Sequence, residues 1–101
     1  MNKKTQYGTT PLHTAVRAGM KNIVGLLIDK GADINTKDNW NWTSLNFAIG
    51  SGKKDILELL VAEGADVNTK SGSDKSPLSY AKQRGLTEIA ELLRKHGAKE
   101  K

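Results

Sequence analysis

Apolar and polar positions along this chain follow a pattern that returns every 33 residues. Leu12, Leu45 and Leu78 share a column, as do Ala15, Ala48 and Ala81, then Ile23, Ile56 and Ile89. The pairs Leu26-Leu27, Leu59-Leu60 and Leu92-Leu93 follow, and glycines punctuate each unit at 19, 52 and 85 and again at 31, 64 and 97. Residues 10–37 and 43–70 agree at 14 of 28 positions without a gap, so an internal repeat must be settled before any other feature. Each unit predicts two short helices. Pro11 and Pro77 suit the first helical position, with Thr10 and Ser76 as caps before them. The glycine at 19, 52 or 85 breaks the run in a left-handed turn, and a second helix then carries Ile23, Leu26 and Leu27, or their equivalents, on one face. Gly31, Gly64 and Gly97 close it. Neither helix can bury its apolar face alone, whereas stacked copies share one continuous core.

Composition fits a stack. Apolar residues are only 37% of the 101, too few for an ordinary core of this size but enough for one that each repeat shares with its neighbours. The chain holds no cysteine, which removes disulfides, thiol catalysis and thiolate metal sites. No apolar run approaches the roughly 20 residues that span a bilayer, and the polar start gives no secretory signal. The expected compartment is the cytoplasm or nucleus. Net charge is +5, yet the lysines are scattered among acidic residues, which disfavours nucleic acid as partner.

Thr10-Pro11-Leu12-His13-Thr14-Ala15, the later Gly31-Ala32-Asp33-Ile34-Asn35 and the 33-residue period resemble the ankyrin repeat. The resemblance implies an all-α ankyrin-repeat α-solenoid of three helix pairs with projecting hairpin loops. It would form a single domain over 1–101, with repeats at about 6–38, 39–71 and 72–98 and tails at 1–5 and 99–101. It further implies no catalysis, no cofactor and a protein or peptide partner gripped by hairpin tips and first helices. His13 would tether its loop to the neighbouring one. Asn46 and Ser79 stand in that column, so their tethers should be weaker, although both can bond locally. At the end of the stack, Arg94 replaces Ile28 and Val61 and is followed by Lys95-His96, the polar outer face of a cap. At the start, Met20 and Ile23 would leave an apolar strip.

The two tryptophans of Asp38-Asn39-Trp40-Asn41-Trp42-Thr43 stand in a turn-forming segment. Trp40 aligns with Tyr7 and Ser73, and Trp42 with Thr9 and Lys75, so no shared apolar demand explains either. Asn41 aligns with Gly8 and Asp74, residue types that tolerate left-handed backbone. Alternation puts both rings on one side of an extended loop. The contact positions implied by the resemblance are Tyr7, Thr9, Arg17, Ala18, Trp40, Trp42, Gly50, Ser51, Lys75, Gln83 and Arg84. Gly50-Ser51 would leave a shallow depression beside the tryptophans, between cationic ends. The matching partner has an apolar anchor and acidic flanks. The opposing structural account has the rings fold back to shield a neighbouring hairpin.

Other chemistry finds little support. Gly50-Ser51-Gly52-Lys53-Lys54 lacks the first glycine and the final Ser or Thr of a phosphate loop. Asp33 to Asp38 lacks the glycine and closing glutamate of a calcium loop. His13 and His96 lie in different repeats, away from metal-ligand spacing. An aromatic cage for methylated lysine, walled by Asp38 or Asp74, runs against the positive charge. The expectation is therefore a monomeric, non-enzymatic binding module, natural or engineered, with Asn46 and Ser79 favouring a natural origin. The alternative is a fragment of a longer array, or a unit that self-associates weakly through Ile23.

Overall fold

The computed structural model describes residues 4–6, 8–69 and 76–99. Six helices appear there: α1 (Pro11–Arg17), α2 (Lys21–Asp29), α3 (Ser44–Gly50), α4 (Lys54–Ala62), α5 (Pro77–Gln83) and α6 (Thr87–Lys95). No strand occurs among the described residues. The all-α solenoid expected from the period is the architecture found.

Local chemistry fixes each unit. Thr10 Oγ1 accepts from the His13 N–H at 3.4 Å and Ser76 Oγ from the Ser79 N–H at 3.1 Å, so both predicted caps form. Between the paired helices the chain must reverse in three residues. Gly19, Gly52 and Gly85 do this with φ of 76°, 66° and 71°, where a side chain would be strained. Each short first helix then lies against its own second helix, and the first helices α1, α3 and α5 form one layer, with α2, α4 and α6 the other.

The core runs between these layers as columns. Leu12, Leu45 and Leu78, and Ala15, Ala48 and Ala81, are all buried, with Leu57, Leu60 and Leu93 on the second layer. Loops join repeats by asparagine bonds: Asn35 Oδ1 accepts from the Asp66 N–H at 2.8 Å, and Asn68 Oδ1 from the Lys99 N–H at 2.8 Å. Asp33 Oδ1 in turn accepts from the Asn35 N–H at 3.0 Å, which gives the calcium-like stretch a structural use.

The two ends of the stack differ. Ile56 is 1% exposed, whereas Ile23 in the same column is 39% exposed beside Met20 at 49% and Leu26 at 51%. The apolar strip expected at Met20 and Ile23 is therefore present, and Leu26 widens it. At the other end Arg94 and Lys95 occupy the last turn of α6, where their charge complements the helix dipole. His96 Nδ1–H donates to the Leu92 carbonyl at 3.0 Å.

Candidate functional site

The hairpin of the second repeat is organised by Asp38. Its backbone N–H donates to the Trp42 carbonyl at 2.9 Å, and the Asn41 N–H donates to the Asp38 carbonyl at 3.0 Å. Its Oδ1 accepts from the Trp40 N–H at 2.8 Å and the Trp42 N–H at 2.9 Å. Asn41 turns the chain with φ of 62°, and Gly8 does the same in the first hairpin with φ of 80°. Left-handed tolerance in that column is thus used at both described positions; Asp74 lies outside the described residues. Thr5 takes the place of Asp38 in the first hairpin, where its N–H donates to the Thr9 carbonyl at 2.8 Å and the two hydroxyls meet at 2.7 Å. The hairpins are joined by Asn39, whose Nδ2–H donates to the Gln6 carbonyl at 3.0 Å.

Behind the hairpin, His13 ties α1 to the same loop. Its Nδ1 accepts from the Thr10 N–H at 3.0 Å and its Nε2–H donates to the Thr36 carbonyl at 2.8 Å, which defines the neutral tautomer. Burial holds its pKa below the usual 6.5, against the opposing pull of the Thr36 bond and of Asp38. The expected tether is this bond to Thr36. In the next repeat Asn46 Oδ1 accepts from Thr43 N–H and Thr43 Oγ1–H, both at 3.1 Å, so its described bonds are local, as its shorter side chain requires.

An aromatic row crosses the three repeats from this point. The His13 ring lies 5.3 Å from Phe47, Phe47 lies 5.3 Å from Trp42, and Trp42 lies 5.4 Å from Tyr80. The Trp42 contacts are edge-to-face, the arrangement that ring quadrupoles favour. Arg84 then sits 5.7 Å over the Tyr80 ring, within cation–π range.

In front of the row is a cleft of about 890 Å³ lined by Thr5, Gln6, Thr9, Thr14, Arg17, Asp38, Trp40, Trp42 and Phe47. Both tryptophans face it, but unequally. Trp40 is 59% exposed, while Trp42 is half-buried against Phe47 and Tyr80. The two rings therefore differ in depth: Trp40 is largely exposed, and Trp42 folds back against its neighbours.

Of the positions singled out from sequence, Thr9, Arg17, Trp40 and Trp42 come together in the cleft. Ala18 and Ser51 cap the C-termini of α1 and α3, and Gln83 and Arg84 end α5; none of these four lines it. Tyr7 and Lys75 lie outside the described residues. The depression expected at Gly50-Ser51 is corrected. A Cβ on Gly50 would lie 3.1 Å from the Tyr80 hydroxyl and 3.4 Å from Trp42 Cζ3, so the space that glycine vacates is filled by these rings. Phe47 and Tyr80 escaped the sequence reading as site residues. Their column, Thr14, Phe47 and Tyr80, turns aromatic where Trp42 follows the first repeat, and that was the signal available.

A family model described as ankyrin repeats in three copies matches residues 1–71 and again residues 37–101. A comparison with curated proteins found no match.

Proposed function

The chain belongs to the ankyrin repeat family, whose members are generally protein–protein interaction modules, and from that premise we propose that its own contact surface is the cleft between the first two hairpins. The observation that carries this reading is Trp40, 59% exposed at the mouth of a cleft that also holds Arg17. Tryptophan and arginine are the residues most often found to dominate binding energy. The Asp38 bonds hold the Trp40 backbone in place before any partner arrives, which lowers the entropy lost on binding. The partner is a protein or peptide with an apolar anchor and acidic flanks, bound by a single monomeric domain. Thr9 lines the same cleft beside the anchor.

The test is a selection of random displayed peptides on the full chain, followed by binding to variants. Trp40→Ala and Arg17→Ala should each weaken the recovered peptides about tenfold or more, as hot-spot truncations do. Ile23→Glu should leave them unchanged. Peptides indifferent to Trp40 and Arg17 would place the contact surface elsewhere.

A second reading is favoured by the outer face of α2, where Met20, Ile23 and Leu26 are all exposed. Self-association, or continuation in a longer array, would cover them. Sedimentation that depends on concentration, and ceases to do so in Ile23→Glu, is the outcome this reading requires.

A further inference from the structure

Charge and closure narrow what the cleft accepts. Two charged groups line it among the described residues, and they differ in how far they are already answered. Asp38 is 8% exposed, and its Oδ1 takes two backbone N–H donors. Such donors stabilise a carboxylate as a partner cation would. Arg17, at the exposed end of α1, forms no ion pair among the described residues. Arg17 is therefore the charged group in the described lining whose donors remain open to a partner. A guanidinium presents a planar fork of donors that matches a carboxylate.

The same rings limit the footprint. Trp42 meets Tyr80 edge-on at 5.4 Å, and Arg84 lies over that tyrosine. Trp42 and the Tyr80 hydroxyl fill the space beside Gly50. Among the described residues, the cleft lining accordingly ends at Phe47 and none of it comes from the third repeat. A volume of about 890 Å³ lies within the roughly 300–1,000 Å³ typical of sites for compact ligands.

We propose that the cleft recognises a short peptide segment with an aromatic side chain next to a carboxylate. The ring enters against Trp40, Trp42 and Phe47, the carboxylate pairs with Arg17, and the contact is confined to the first two repeats. This rests on the cleft being the partner site. A methylated lysine, which three rings and a carboxylate would otherwise suit, is refused because Arg17 repels it.

Two probes of one shape and opposite charge test this: 2-naphthoate and 2-naphthylmethylammonium, titrated into the isotopically labelled full chain and followed by NMR. The Trp40 indole N–H and the Arg17 Nε–H should shift saturably with naphthoate, while the Gln83 and Arg84 amides stay in place. The ammonium probe, and naphthoate on Arg17→Gln, should bind at least about tenfold more weakly, the size of effect expected when one charged hydrogen-bonding partner is removed. Arg17 is exposed, so the variant's unchanged spectral dispersion serves as the folding control. Equal affinity for the two probes, retention in Arg17→Gln, shifts centred on Gln83 and Arg84, or no saturable shift would each overturn the proposal. If displayed peptides still depend on Trp40 while naphthoate is silent, this inference falls and the partner site stands. If those peptides also ignore Trp40, both fall.

Discussion

One residue separates Trp40 from Trp42, yet Trp40 keeps 59% of its surface in water while Trp42 is wedged edge-on between Phe47 and Tyr80. Their backbones are alike in one respect, since both N–H groups donate to the same Asp38 oxygen. The difference lies in what the neighbouring helices offer. Trp42 finds a ring on α3 and a ring on α5, with a glycine that leaves room beside them. The lesson is that an aromatic in a polar turn is assigned to packing or to binding by its partners across the stack, not by its sequence neighbours.

The comparison breaks most visibly under truncation. Trp42→Ala should cost about 2 kcal/mol in chemical denaturation, less than a fully buried tryptophan because one side faces the cleft. Trp40→Ala should change stability by no more than about 0.5 kcal/mol, as exposed positions do. Equal costs would mean the two rings share one role.

Acidification acts on the hairpin from behind. His13 has a folded pKa below 6.5 because burial disfavours its charge. The unfolded chain therefore binds the proton more readily, and stability falls as pH drops below about 6.5, levelling off once the folded pKa is passed. Protonation would put an N–H on Nδ1, opposite the Thr10 N–H that it now accepts. Denaturation midpoints measured across this range should lose that slope in His13→Gln.

Two glycines sharpen the packing half of the comparison. Gly25 lies inside α2, and a Cβ there would meet Leu59 Cδ2 at an ordinary 3.8 Å, so Gly25→Ala should stabilise by roughly 0.5–1 kcal/mol through helix propensity. Gly50→Ala should gain nothing, because its Cβ presses on Trp42 and Tyr80, and tryptophan emission should shift instead. A gain equal to that of Gly25→Ala would show that Trp42 does not fill this space.

A gain of similar size is expected at the start of α3. Ser44 stands in the column of Pro11 and Pro77, and its buried Oγ has no hydrogen-bond partner. Thr43 before it already has extended backbone, with φ of −98° and ψ of 174°, as a residue preceding proline needs. Ser44→Pro should raise stability by about 0.5–1 kcal/mol, with a higher melting temperature as the readout.

The helices were legible because every column is read three times; a glycine at 19, 52 and 85 is hard to mistake. The His13 tether and the polar end at Arg94 were legible through the family pattern. What escaped was pairing between columns. Gly50 taken alone predicts a hole, and only the packed chain brings Trp42 and the Tyr80 hydroxyl to fill it. Phe47 and Tyr80 looked like ordinary helix residues because their importance depends on a ring supplied by a different element. Alternation placed both tryptophans on one side of the loop but carried no information on depth.

The most direct test of the division between the two rings is acrylamide quenching of the single-tryptophan variants Trp42→Phe and Trp40→Phe. Trp40, alone in the first, should emit at long wavelength and be quenched freely; Trp42, alone in the second, should emit further to the blue and be protected. Two equally protected indoles would make the hairpin a packed plug with no ring offered to a partner, and two equally accessible ones would dissolve the wall that closes the cleft.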